Sequence, residues 1–301
     1  MTIRVNPDWT QNVLAALDQT RQQQNQALAE LSTGQRVNSL SDDPAAAAAN
    51  VQNNIQISQT DQFLSNITDV QGLLQSADGA LNNVIQTLTQ TISLGVEGAN
   101  GTLSSSDRQA IAEEVQGNQQ ELLNLANLNY QGNYVFAGTA VTTTPFVVDS
   151  SSPSGISYQG NSSTNVVEVA PGQSVGVQLP GNQLFTASGS DVFQALHDLI
   201  TALQTGTSSS VAAATAEVQA AFNHVNSQRA FYGNSLSFLN STESYLNQEK
   251  IDLSQQQNKL IAADPAAAST DLVRATDAYQ AVLAASGKIA QFSLLDYLPP
   301  Y

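Results

Sequence analysis

The chain has 301 residues, of which 41% are apolar but only 6% aromatic and 11% charged. Much of the apolar share is alanine, and Gln, Asn, Ser and Thr carry most of the polarity, which suits long helices with thin apolar seams better than a compact enzyme. A net charge of −16 argues against nucleic acid and anionic membrane surfaces as partners, and the absence of cysteine removes disulfides, thiolate nucleophiles and cysteine metal sites.

A cysteine-free chain also suits a protein that crosses compartments unfolded. The first residues, MTIRVNPDWTQNVL, lack the basic flank and apolar core of a cleavable secretory signal. No window approaches the roughly 18 consecutive apolar residues of a membrane span, so no membrane insertion is expected.

In chain order, Leu14, Leu17, Arg21, Gln24, Leu28 and Leu31 recur at alternating steps of three and four. That spacing predicts a helical seam, but with two polar positions the helix buries too little alone and needs partners. A joint follows, LSTGQRVNSLSDDPAAAAAN from Leu31 to Asn50. Gly34 closes the first helix, Asn38 to Ser41 connect, and Asp43-Pro44 restarts a helix with an N-cap and a first-turn proline. Asp42 and Asp43 are read here as caps, not as a metal or acid–base pair.

From Pro44 a long helix is predicted to about Val96. Phe63, Ile67, Val70, Leu74, Ala77, Leu81, Val84 and Leu88 step 4-3-4-3-4-3-4 without a miss, the mark of a coiled coil. At 1.5 Å per residue it would be a rod of roughly 75 Å. Gly95, Gly98 and Gly101 should break it; with no Gly-Lys-Ser/Thr following, they form no phosphate loop. Ser104 to Asp107 opens another helix, with a ladder of Ile111, Val115, Asn118, Leu122, Leu125 and Asn129, and Glu113-Glu114 are placed in its first turn.

From Tyr134 the period changes to short β-prone runs: YVFAGT, PFVV, ISYQG, VVEVAPG and SVGVQLPG. Val167 and Val169 should point in, Glu168 out. This insertion should protrude from the helices. Asp191 then caps an amphipathic helix with Phe193, Leu196, Leu199, Ile200 and Leu203 on one side. A linker is predicted over Thr205 to Ser210. Beyond it Val211, Val218, Val225, Tyr232, Leu239, Leu246, Leu253 and Leu260 recur every seven residues. Asp264-Pro265-Ala266-Ala267-Ala268 then repeats the Asp43-Pro44 joint, and the last helix carries Leu272, Ala275, Tyr279, Val282, Ser286 and Ile289.

The order is therefore nearly symmetric, and the expected fold is mainly α. It is an elongated antiparallel coiled-coil or helical-bundle rod, with a small β-rich insertion at its tip and terminal helices paired at the other end. The expected domains are residues 1–43 with 264–301 (terminal helices, ordered on assembly), 44–133 with 188–263 (long-helix rod) and 134–187 (β-rich insertion).

Chemistry is sparse. His197 and His224 lie in helical patterns without metal-ligand spacing. No nucleophile elbow or Ser-His-Asp order appears. The sequons at Asn66, Asn161 and Asn240 are frequent by chance. No catalytic, cofactor-binding or metal residue is predicted, and an enzyme is not expected.

The joint LSTGQRVNSLSDDPAAAAA resembles the N-terminal signature of the flagellin superfamily, through Leu31, Ser32, Gly34, Arg36, Asn38, Asp42 and Asp43. Pro44 after the acidic pair is similar to the hook–filament junction members, whereas filament flagellins usually continue with Ala-Ala-Gly. TLSSSDRQAIAEEVQGNQQELLNLAN, NYVFAGT and the ending SLLDYL resemble the same members; residues 147–185 resemble nothing in the family. The resemblance implies a structural, extracellular part of the bacterial flagellum, secreted by type III export and serving motility. Its partners would be an upstream hook-associated junction protein, flagellin, other copies of itself in a ring, and an export chaperone. The assembly contacts expected are Leu14, Leu17, Leu28, Leu31, Tyr279, Val282 and Ile289, with Arg36 and Asp42 as polar contacts at the joint. A filament flagellin and, from another class, a secreted coiled-coil effector or translocator are the alternatives. A chemotaxis-receptor-like coiled coil lacks the membrane span it would need.

Overall fold

The computed structural model describes the backbone of residues 9–295 and the side chains of residues 11–288. Its architecture is mainly α with a small β insertion, the class the sequence predicts. The helices are α1 (Trp9–Thr33), α2 (Pro44–Gly98), α3 (Ser105–Ala126), the single turn α4 (Gly181–Leu184), α5 (Val192–Thr205), α6 (Ser208–Ile261) and α7 (Pro265–Leu295). The strands form three separate antiparallel pairs: β1 (Asn129–Tyr130) with β2 (Asn133–Tyr134), β3 (Phe146–Val148) with β4 (Ile156–Tyr158), and β5 (Val166–Ala170) with β6 (Gln173–Gly176). The chain divides into two compact units, residues 60–248 and residues 1–59 with 249–301.

In the 60–248 unit, the helical seams become the core. Ile67, Leu74, Ala77, Leu81, Val84 and Leu88 of α2 are fully buried, as are Val211, Val218, Val225, Tyr232, Leu239 and Leu246 of α6. Each such aliphatic side chain contributes roughly 1.5–3 kcal/mol by leaving water. One face of α5 (Phe193, Leu196, Leu199, Leu203) and one of α3 (Val115, Leu122) complete the same cluster. Asn118, the polar member of the α3 ladder, is buried because its amide donates to the Thr91 hydroxyl on α2 at 3.0 Å. That pairing removes most of the cost of burying it.

Several sequence expectations change here. Gly95 lies inside α2, which runs on to Gly98; a Cβ at Gly95 would meet the Thr215 side chain of α6, so this glycine lets two helices approach closely. Glu113 and Glu114 are not in a first turn, because α3 already begins at Ser105. The first-turn acid is Asp107, which forms a reciprocal capping box with Ser104. The α3 ladder stops at Ala126, and Asn129 instead opens a hairpin. The Ser/Thr run expected as a linker is a pair of caps. The Gly206 N–H bonds the Ala202 carbonyl (2.8 Å), and the Ser210 N–H bonds the Thr207 hydroxyl (3.3 Å).

The insertion does not simply protrude. Its apolar residues Phe136, Phe146, Val169 and Phe185 belong to the same core as the helices. Phe146 sits 5.2 Å from Phe193 of α5, ring centre to ring centre. The phenol of Tyr232 on α6 accepts the Leu179 N–H at 3.2 Å, and burial pushes its pKa up. Three two-stranded ribbons bury too little to stand alone, so they use the helices as their second layer. YVFAGT is not a strand beyond Tyr134, and β6 stops at Gly176 although the β-prone run continued to Gly181. Val169 is buried and Val167 half-buried, with Glu168 exposed between them, the alternation the sequence predicts.

In the other unit, α1 packs against α7. The first part of α2 pairs with the end of α6: Asn53 donates to the Leu253 carbonyl (2.8 Å), and Gln257 donates to Asn50 (3.2 Å) and Asn54 (2.7 Å).

Candidate assembly interface

The two Asp-Pro joints meet each other. After α1, Gly34 turns with φ +69°, a conformation that favours glycine. The next residues pair with the chain leaving α6: Gln35 bridges Ala262, the Arg36 N–H donates to the Ile261 carbonyl (2.7 Å), and the Ala263 N–H to the Gly34 carbonyl (2.9 Å). A small apolar cluster of Val37, Ala46 and Ile261, with Ala47 and Leu260 against it, lies under this crossing.

Arg36 lashes the crossing together, its Nη2 donating to Asp43 Oδ2 and to the Leu260 carbonyl, both at 3.1 Å. The two aspartates, both expected to be caps, divide the work. Asp43 caps α2 by accepting the Ala46 N–H (3.0 Å). Asp42 closes the connector instead, accepting the N–H groups of Asn38 (2.9 Å) and Ser39 (2.8 Å) and the Ser39 hydroxyl (2.8 Å). These bonds favour the ionised form: the Ser39 hydroxyl foremost holds the Asp42 carboxyl low, and the Ala46 N–H, ahead of Arg36, does so for Asp43. Across the crossing, Asp264 caps α7 in the same way through the Ala266 N–H (2.9 Å).

The apolar positions named from the α1 seam lie on two faces. Leu17 and Gln24 are half-buried, Gln24 donating to Thr276 of α7 at 3.4 Å, and Ala27 is the buried residue among the described side chains of α1. Leu14 (61% exposed), Leu28 (53%) and Leu31 (40%) face solvent. On α7, Tyr279 and Val282 are half-buried, Ala268 and Ala275 buried, and Val273 and Leu283 exposed. The side chain of Ile289 lies outside the described residues. The structure therefore brings Leu17 together with the helix pair and leaves the other α1 leucines open. Leu40, Val51, Ile55 and Ile251 of the same unit are open as well, and the sequence reading did not single them out. For Val51 and Ile55, one turn apart on α2, the signal was present as apolar residues at helical spacing in polar surroundings; Leu40 lies in the connector, where no periodicity marks it.

Among the described residues, no three His, Cys, Asp or Glu side chains come together to hold a metal. His224 Nε2 lies 2.8 Å from the Gln183 carbonyl. No described helix is long and apolar enough to cross a membrane.

The chain is similar to proteins of the bacterial flagellum. Residues 9–141 match the family model of the bacterial flagellin N-terminal helical region. Flagellar hook-associated protein 3 of Escherichia coli is 28% identical over 276 residues, covering 84% of this chain and 86% of that protein. Its counterpart in Salmonella typhimurium is 38% identical over 121 residues, 39% of this chain and 37% of that protein. Among solved structures, the flagellar junction protein FlgL of Legionella pneumophila aligns with a TM-score of 0.60 at 17% identity, covering 71% of this chain and all of that one, which supports the fold. The likeness to the bacterial flagellin N-terminal helical region thus covers residues 9–141, somewhat less than half of this chain.

Proposed function

We propose that the protein is a structural subunit of the bacterial flagellum that joins hook to filament. The observation that carries this reading is the likeness to a flagellar hook-associated protein 3 over 84% of this chain and 86% of that one, where the flagellin relatives align over only part of their length. In this reading the subunit leaves the cell by the flagellar type III apparatus, escorted by an export chaperone. It assembles as a ring between an upstream hook-associated protein and the first flagellins, outside the cell, and its role is mechanical rather than catalytic.

The open leucines of α1 supply a physical reason for assembly. A helix that presents Leu14, Leu28 and Leu31 to water gains when a neighbouring subunit covers them, at about 25 cal/mol per Å² of apolar surface removed from water. We assign Leu14, Leu17, Leu28, Leu31, Tyr279, Val282 and Ile289 to such contacts. Arg36 and Asp42 act one step back, holding the joint that aims both terminal helices.

Gold-labelled antibody on isolated flagella tests the reading. Label confined to the hook–filament boundary is expected. Label along the whole filament would make the protein a filament flagellin, and its absence from flagella would leave a secreted coiled-coil effector as the better account.

A further inference from the structure

Between the end of α2 at Gly98 and the start of α3 at Ser105, the turn carries the chain's single Asn-Gly pair, Asn100-Gly101. Both residues are exposed. The side-chain oxygen of Asn100 accepts the Thr102 N–H (3.1 Å) and the Thr102 hydroxyl (2.9 Å). A backbone N–H can only donate, so this pairing fixes which end of the amide is oxygen. Among the described residues, neither the amide nitrogen of Asn100 nor the Gly101 N–H has a hydrogen-bond partner. Nothing in the fold calls for glycine at 101. Its φ is outside the left-handed region, and a Cβ there would come no closer than 3.6 Å to the Ser208 hydroxyl. What the missing Cβ provides is open access to the Gly101 nitrogen.

We propose that Asn100-Gly101 is a self-modification site, at which the folded chain converts Asn100 to aspartate and isoaspartate through a cyclic imide. The Gly101 nitrogen loses its proton to solvent and attacks the side-chain carbonyl carbon of Asn100. The bond from that carbon to the amide nitrogen breaks, and the nitrogen takes a proton from water and leaves as ammonia. Thr102 favours this step, because its two donors face the oxygen on which negative charge grows as the nitrogen adds. Water then opens the imide, its hydroxyl going to one of the two ring carbonyl carbons and its proton to the ring nitrogen. Opening at the side-chain carbonyl restores the ordinary main chain; opening at the other routes the main chain through the side chain and lengthens it by one atom.

The other asparagines followed by a small residue are held back. Of the five Asn-Ser pairs, those at Asn226, Asn234 and Asn240 lie inside α6, whose helical ladder holds the serine N–H. Ser39, after Asn38, gives its N–H to Asp42 at 2.8 Å. Asn161 is pinned at both ends of its amide, its oxygen by the Thr139 and Ser163 N–H groups and its nitrogen by the Thr139 hydroxyl. The change at Asn100 has a structural consequence. A new carboxylate would stand just past the C-terminal end of α2, three residues after Glu97, where the helix dipole and like charge both disfavour it. The longer isoaspartate backbone would also spoil the turn in which the Leu103 N–H meets the Asn100 carbonyl at 3.2 Å. The connection from α2 to α3 therefore loosens as the protein ages.

Purified full-length protein, kept folded in mildly alkaline buffer, tests this by peptide mapping with mass spectrometry. Residue 100 should gain the mass of an amide turned to acid before any other asparagine, and nearly as fast as it does in urea. Gly101→Ala, with unchanged circular dichroism, should slow the gain severalfold. Conversion first at another asparagine, or conversion at residue 100 severalfold faster in urea than in the folded chain, would overturn the proposal, because the fold would then protect the site. So would a folded Gly101→Ala variant that converts as fast as the unsubstituted chain.

Discussion

Arg229 joins the two longest helices within the 60–248 unit. Its guanidinium grips Asp78 through two bonds, at 2.6 and 2.9 Å, and Asn82 at 3.0 Å, tying α6 to α2. The pair is about a third exposed, so solvent screening reduces a value that would otherwise sit at the upper end for charged bonds. Arg229→Met keeps the apolar stem and should cost about 1–2 kcal/mol in urea unfolding, with Asp78→Asn adding little on top because the two share one interaction. At the joint the expectation is a pH dependence. Both Asp42 and Asp43 are held below the ordinary aspartate value of 3.8 in the folded chain. Their stabilisation is therefore complete above that pH and fades as acid carries the solution down through the lower folded values. Asp42→Asn should weaken the joint at neutral pH and flatten its loss in acid, followed as helix content by circular dichroism. An acid transition unchanged by the substitution would count against the Asp42 carboxylate as the group that holds the connector.

At the scale of elements, the seams differ in how legible they were, for a physical reason. The α2 ladder is apolar without a miss, while in α6 the every-seventh positions stay apolar and the intervening ones turn polar from Gln228 onward, so each helix still has one unbroken stripe to bury. Those stripes are the core. In α1 the repeat mixes leucine with Arg21 and Gln24, and the face that meets α7 is the small one, through Gln24 and Ala27. Alanines let two helices approach closely, while Leu14, Leu28 and Leu31 beside them stay exposed to solvent among the described residues. The insertion was legible as β-prone but not as part of the helical core, because period-two runs say nothing about what covers their inner face. The mutual pairing of the two joints was legible only as a repeated motif. The hydrogen bonds from Arg36 and Ala263 that realise it run between positions more than two hundred residues apart. It follows that α1 and α7, with few large buried side chains among the described residues, should be disordered in the free monomer and fold on assembly. Limited proteolysis of the monomer should cut residues 1–42 and 265–301 well before the 60–248 unit. Ends that resist as long as that unit does would refute the expectation. Removing α7 should abolish incorporation into flagella while leaving most of the remaining helix signal intact.

For the molecule as a whole, the two units are held in different ways. The large apolar cluster, from Ile67 to Leu246, lies entirely within residues 60–248 and draws on α2, α3, α5, α6 and the insertion together. The other unit has Val37, Ala46 and Ile261 as its own cluster, joined by buried polar contacts such as that of Asn53 with the Leu253 carbonyl. Marginal stability is the small surplus of burial over chain entropy, so a unit with so few large buried side chains among its described residues has little surplus of its own. A chain trimmed to residues 60–248 should therefore fold alone, with a cooperative urea transition and the helical circular dichroism its helices require. Within it, Gly181→Ala should lower that transition by about 1–3 kcal/mol, since a Cβ there would press on the Phe136 carbonyl and the Phe146 ring at 2.7–2.8 Å in a packed core. If instead the trimmed chain unfolds without a cooperative transition, the terminal helices are part of what holds the core. The division between a self-sufficient unit and an assembly-dependent one would then be wrong.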